Sequence, residues 1–207
     1  MQYLELKTQL NDFPIFSIKD IEKVDPSFHK QRLSEWQKKG YMKKISKGFY
    51  FFTDFPINEQ ILFIIASRIY GPSYVSLEMA LSIYGIIPES VYGVTLVTSQ
   101  PTKKIKASVG NFIYRHVQSE LMFGYKIQEY DGHRYQIAEL EKAILDYLYF
   151  NSRISDNESF EGVRFNIAEI KERMDMEKFN KYLNAFHSKA LNSRAKRFLT
   201  YINNQYA

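Results

Sequence analysis

Seven basic side chains stand between Pro26 and Tyr50 (Lys30, Arg32, Lys38, Lys39, Lys43, Lys44 and Lys47) against one acid, Glu35. Cations at that density are the chemistry of phosphate binding, because each can neutralise a backbone phosphate and release its condensed counterions. The excess in this one segment is larger than the +5 of the whole 207-residue chain. Residues 54–150 carry 8 basic and 10 acidic side chains, so the middle is no general polyanion binder. A second basic cluster, Lys189, Arg194, Lys196 and Arg197, reads more simply as a solvated helix face than as a nucleic-acid contact.

Catalytic chemistry is thinly represented. The chain has no GxxxxGK phosphate loop, no GxSxG elbow and no HExxH, and its four histidines (His29, His116, His133 and His187) fall in separate segments. His116, beside Arg115, could touch phosphate or base, but a strand histidine satisfied by a hydrogen bond is the plainer reading. Glu169 and Lys171, with Asp156 upstream, have the E-x-K spacing of metal-dependent nucleases. That chemistry needs both side chains on one face of a strand; the local pattern is helical and turns them about 200° apart. Glu139 and Glu141 read as first-turn charges favoured by a helix dipole. No catalytic residue, metal ligand or cofactor is therefore expected, and the absence of cysteine removes disulfides and thiolate chemistry.

The elements that must position the cations can be read in order. Met1 to Leu10 is a first helix, and Ser17 caps a second, SIKDIEKV, with Asp20 three residues on as an imperfect capping box. Asp25-Pro26 then opens a third helix over Pro26–Lys39. At about 100° per residue Phe28, Leu33 and Trp36 form one apolar stripe, and Ser27, Lys30, Gln31, Ser34 and Lys38 lie opposite, with no acid among them. Arg32 and Lys39 flank the stripe. After Gly40, Tyr41, Met42 and Ile45, a turn at Ser46-Lys47-Gly48, and then Phe49 to Phe52 make a short hairpin bearing Lys43, Lys44 and Lys47. Three helices followed by a hairpin are the order of a winged helix-turn-helix.

Beyond it, Ile57 to Tyr70 is apolar nearly all round and reads as a buried spine. Ser76 caps a helix through Leu77, Ala80, Leu81 and Tyr84 that Gly85 and Pro88 end. From Val91 the period becomes two, through Val94, Leu96 and Thr98, then Ile105 and Phe112 to His116, which predicts a small antiparallel sheet. Asp131-Gly132 marks a hairpin joining Tyr125–Tyr130 to His133–Ile137. Ala138 to Phe150 is a helix with Leu140, Ala143, Ile144, Tyr147 and Leu148 inward. Residues 151–164 read as polar loop, and three amphipathic helices follow over 166–173, 176–186 and 188–201, with Phe179, Leu183, Phe186, Leu191, Phe198 and Tyr201 as core candidates.

The words SLEMALSIYGIIPE, VYGVTLVTSQPTKK, GNFIYRH and LMFGY between Ser76 and Tyr125, with AELEKAILD at Ala138–Asp146, resemble the AbiEi-type antitoxins of type IV toxin–antitoxin systems. The resemblance covers about three quarters of the chain and weakens after residue 150. It implies a winged helix before the block and a DNA-binding antitoxin that represses its own operon at operator DNA carrying inverted repeats. Its counterpart would be an AbiEii-like nucleotidyltransferase toxin, with which no stable complex is required.

Residues and resemblance together give an α+β chain: a winged helix-turn-helix over 1–53, an antitoxin-type helix-and-sheet domain over 54–150, and a helical extension over 151–207. Ser27, Lys30, Gln31 and Ser34 are expected nearest the bases, and Arg32, Lys38, Lys39, Lys43, Lys44 and Lys47 on phosphates. The apolar run Ile61–Ala66 is too short to span a membrane and no signal-peptide pattern opens the chain, so a cytoplasmic location and no membrane partner are expected. Three other readings keep parts of this picture: a stand-alone regulator whose second domain senses a ligand or partner, a nucleic-acid-processing enzyme built on Glu169, and a protein-interaction module.

Overall fold

The computed structural model describes residues 1–88 and 92–205; Val91, where the sequence predicts the change of period, lies outside the described residues. The chain is mixed α+β. Helices α1 (Tyr3–Leu10), α2 (Ile18–Val24) and α3 (Gln31–Lys38) precede strands β2 (Met42–Ser46) and β3 (Phe49–Phe52), and a two-residue strand β1 (Phe16–Ser17), which has no periodic signal, pairs antiparallel to β3. The capping box at Ser17 forms in full, the hydroxyl accepting from the Asp20 amide while the Asp20 carboxylate accepts from the Ser17 amide.

A second body follows: α4 (Glu59–Ile69), β4 (Ser73–Val75), α5 (Leu77–Ile83), β5 (Val94–Thr98), β6 (Lys103–Ala107), β7 (Gly110–His116), β8 (Tyr125–Tyr130), β9 (His133–Ala138) and α6 (Leu140–Phe150). Four more helices, α7 (Asn157–Val163), α8 (Ile167–Arg173), α9 (Met176–Ala185) and α10 (Lys189–Asn204), close the chain. The sheet is larger than the small antiparallel one expected: six strands in the order β6-β7-β5-β4-β9-β8, with β5–β7 and β4–β9 parallel. The reason is burial. All five residues of β5 are buried, so it is a central strand covered on both faces, not an alternating half-exposed one. The hairpin at Asp131-Gly132 forms as expected, both turn residues having the positive φ (50° and 72°) that a type I′ turn requires.

Another expectation is corrected. Residues 151–164 are not all loop: Asp156 caps α7 by accepting from the Ser159 amide, and the buried Phe160 anchors that short helix among Phe198 and Tyr201. One buried residue in seven is too little for periodicity to register. α5 ends where Gly85 was expected to end it: Tyr84 is its C-cap, and Gly85, with φ +71°, turns its amide back to the Ser82 carbonyl.

Two apolar cores share the β1-β3-β2 sheet as a wall. Leu6, Leu10, Ile21, Phe28, Leu33 and Trp36 pack on one side with Phe16, Met42, Tyr50 and Phe52. Ile45 and Phe51, from the same strands, and Ile15, just before β1, face the other way into the large core, which also holds the C-terminal core candidates Phe179, Leu183, Phe186, Leu191, Phe198 and Tyr201. Alternation along β3 thus serves both cores at once.

At the centre of the large core lies a charged cluster that is fully buried. The Lys142 ammonium is ion-paired with Asp146 one turn along α6, both with no exposed side-chain surface. The other Asp146 oxygen accepts from the Tyr74 hydroxyl at 3.0 Å and the Ser76 hydroxyl at 2.8 Å. Ser76 therefore does not cap α5 with its side chain, as the sequence suggests; its hydroxyl is committed across the core. Phe186, Phe123 and Tyr74 present ring faces to the Lys142 ammonium at 4.5, 4.8 and 5.5 Å. Burial pushes Lys142 below the ordinary lysine value against the opposing pull of Asp146. Gly124 has φ +69°, and a Cβ there would stand 3.1 Å from the Lys142 stem and from the Tyr182 ring, so the chain can pass only as glycine. Asp146→Ala is expected to cost about 3–5 kcal/mol of stability by leaving Lys142 buried and unpaired, and the double change Lys142→Met with Asp146→Leu considerably less. Urea denaturation of the two variants checks this; equal losses would show that the pairing is not what matters.

Candidate nucleic-acid interface

α3 is shorter than the 26–39 helix expected, and the cause is local. Asp25 accepts from the Ser27 amide at 3.0 Å and the Ser27 hydroxyl at 2.7 Å, a side-chain turn that competes with helix formation and holds residues 25–30 outside α3. Ser27 is thus exposed but off the helix, and Lys30 occupies the N-cap position, its ammonium 3.0 Å from Glu22 of α2. Leu33 and Trp36 are buried, and Trp36 packs 5.6 Å from the Phe28 ring. The apolar stripe forms as its spacing requires.

The outward side of α3 carries Gln31, Ser34, Glu35 and Lys38, all exposed and within an arc of about 100°. The acid-free face expected of a longer helix is therefore corrected, since Glu35 stands about 40° from Gln31. With Phe28 off the helix, the buried stripe of α3 centres between Leu33 and Trp36, Arg32 and Gln37 lie half-buried at its edges, and Glu35 is exposed beside Gln31. Arg32 turns back to donate to the Met1 carbonyl, and Lys39, the exposed C-cap residue, remains available. On the hairpin, Lys43, Lys44 and Lys47 are all exposed, Lys47 at the tip beside Gly48. Seven of the ten residues expected to face nucleic acid (Gln31, Ser34, Lys38, Lys39, Lys43, Lys44 and Lys47) lie exposed on α3, its C-cap or the hairpin; Ser27, Lys30 and Arg32 are drawn aside by local partners.

The fold adds cations from a distance. β6, an edge strand, lies in contact with β2 and carries Lys103, Lys104 and Lys106, all exposed. The run KKIK is visible in the sequence, but the net negative balance of residues 54–150 conceals it, and nothing local brings it beside the hairpin. Of the C-terminal cluster, Lys189, Lys196 and Arg197 are exposed on α10, while Arg194 is buried and donates to the Leu148 carbonyl. Glu169 lies on α8 and pairs with Arg173 at 3.3 Å, and Asp156 is occupied as the α7 cap, so Glu169 and Lys171 stand on a helix and not on the strand that the E-x-K chemistry needs. Among the described residues no group of three or more histidine or acidic side chains is placed to hold a metal, and no helix is long and apolar enough to cross a membrane. His116 Nδ1 lies 3.1 Å from the Gln100 carbonyl, to which it can donate.

No protein-family model matches this chain, and no curated protein matches it.

A polar junction links α2 to α4. Arg68 donates to Asp20 at 2.7 Å and lies over the Phe13 ring, whose other neighbour is His133, itself 2.6 Å from the Asp12 carbonyl. Burial pushes the Asp20 carboxyl up, but the Ser17 amide and hydroxyl and the Arg68 guanidinium together outweigh it and hold it below the usual carboxylate value. A depressed folded pKa means that the stabilisation is complete above the unfolded value of roughly 4 and is lost as pH falls through the folded one. The pair is part-exposed, so its worth is at most about 1 kcal/mol. Asp20→Asn should make the fall in stability below about pH 4 shallower without altering the neutral plateau by more than that. Thermal melts from pH 2 to 7 check this, and an unchanged acid limb would remove Asp20 from the account.

Proposed function

We propose that residues 1–53 are a winged helix-turn-helix that lays α3 in the major groove of duplex DNA, with β2 and β3 as the wing. We propose further that the chain is a DNA-binding antitoxin and autorepressor of a type IV toxin–antitoxin operon. The observation that supports DNA binding most is the exposed cationic surface of α3 and the hairpin, Lys38, Lys39, Lys43, Lys44 and Lys47, backed by a buried aromatic and aliphatic stripe that fixes the helix in place. Gln31 and Ser34 stand at base-reading positions, Gln31 able to pair bidentately with adenine. Glu35 at the rim can accept from a cytosine amino group, which turns a liability for phosphate binding into a discriminating contact. The antitoxin part rests on the resemblance of the central words, several of which meet in space: Ser76, Lys142, Asp146 and Gly124 gather in the Lys142 cluster.

A second reading keeps the same DNA-binding unit on a stand-alone regulator with a ligand- or partner-sensing larger body. A groove lined by Lys104 and Arg115 on that body favours it. The neighbouring gene separates the two: a nucleotidyltransferase with paired catalytic carboxylates, whose growth arrest this chain relieves on co-expression, supports the antitoxin, and failure to relieve it supports the regulator.

Five exposed cations on α3 and the hairpin should give a slope of log affinity against log salt of roughly −4.5, steepening toward −7 if the three β6 lysines also reach phosphate. Gel-shift titrations of the chain and of the triple variant Lys103→Gln, Lys104→Gln, Lys106→Gln read that difference. Reversing Lys43 and Lys44 to Glu should weaken binding more than about tenfold across all sequences, whereas Gln31→Ala should relax preference at one base pair. A slope near zero would end the DNA reading.

A further inference from the structure

A groove of about 580 Å³ opens on the face of the six-stranded sheet that carries α5. Its floor is a row across three strands: Lys104 of β6 opposite Ile113 of β7, and Ile113 opposite Thr95 of β5. Arg115, two residues on from Ile113, shares that face. Leu77 and Glu78 overhang the row from the start of α5, which Thr95 ties down by donating to the Ser76 carbonyl at 2.7 Å and accepting from the Met79 amide at 3.0 Å.

The charges in this groove are unusual for a surface that packs only on itself. The Arg115 guanidinium rests 4.7 Å from the Phe150 ring, a contact that fixes the group by its face and uses none of its N–H donors. Among the described residues neither Arg115 nor Lys104 has a carboxylate within ion-pair distance, and Glu78, which lines the same groove, joins neither of them. Two cations and an acid thus line a space beside the apolar Ile113 and Leu77, with no ion pair across it among the described residues. The volume lies in the range of small-molecule pockets. A rigid guanidinium fork beside a point-charge ammonium matches a dianionic phosphate better than a single carboxylate.

We propose that this groove binds a small phosphorylated organic molecule of nucleoside-monophosphate or sugar-phosphate size. Its phosphate sits on Arg115 and Lys104, its body lies over Ile113 and Leu77, and an N–H or O–H donor faces Glu78. The site shares only Lys104 with the basic edge of β6; Arg115 and Glu78 lie outside the surface proposed for DNA, so changes at those two residues test the groove separately.

The test is a titration of the isotope-labelled full chain, followed by amide resonances of Thr95, Ile113 and Arg115, with the common nucleoside monophosphates, glucose 6-phosphate, their unphosphorylated counterparts and inorganic phosphate. At least one phosphorylated probe should shift these amides saturably below about 1 mM, and its unphosphorylated counterpart should not. Arg115→Gln should weaken that probe at least about tenfold with an unchanged melting midpoint, and Glu78→Gln should weaken it while leaving the response to inorganic phosphate as it was. The proposal is overturned if no probe saturates by about 10 mM, if Arg115→Gln binds as the parent does, or if inorganic phosphate binds as tightly as the best organic phosphate.

Discussion

A charge that cannot reach water dictates the arrangement of everything around it. The Lys142–Asp146 pair is fully buried, and such a pair is tolerable only when its remaining donors and lone pairs find partners. That requirement draws together segments distant in sequence. Tyr74 and Ser76 come from β4 and the turn into α5, Phe123 and Gly124 from the approach to β8, and Phe186 from the end of α9. Glu141, the next residue back on α6, is also buried and accepts from the Asp175 amide at 2.9 Å, so the same helix fixes the start of α9. Glu139 holds Lys178 at 3.2 Å and Tyr182. The acidic residues at the start of α6, which look like dipole charges in the sequence, are clamps for the C-terminal helices.

Around that centre the protein builds outward in two directions. The six-stranded sheet carries α4 on one face, through the Tyr114 hydroxyl to the Ala66 carbonyl at 2.8 Å, and α5 with α6 on the other. The helices after residue 150 share the same core, so they complete its packing and are not an appendage laid on a finished surface. On the N-terminal side the hairpin bears cations on its edges and apolar residues on both faces, and β6 extends the basic edge into the larger body.

What the sequence revealed depended on whether one segment's own residues settled the outcome. The second helix with its capping box, the Asp131-Gly132 hairpin, the lysine-bearing hairpin at 42–52 and the last three helices were all legible, because caps, turn residues and periodicity act within a few positions. The start of α3 was not, because Asp25 had two outlets, helix cap or closed turn, and the winner depends on the packing of the residues after it. β4 is three residues long and leaves no period to detect. For the candidate interface, the cations on α3 and the hairpin were legible from charge density alone. That Phe28 lies off the helix was not, and with the stripe centred on Leu33 and Trp36, Glu35 is exposed on the outward side beside Gln31. The contribution of β6 needed the tertiary fold.

The shared wall has a consequence for how the two parts move. Because Phe51 and Ile45 belong to one core while Tyr50, Phe52 and Met42 belong to the other, the hairpin cannot swing as a bead on a tether. Any displacement at its tip must slide apolar surfaces on both sides at once, so the two bodies are geared together. An event on the larger body that tilts β6 would be transmitted mechanically to the lysines of β2.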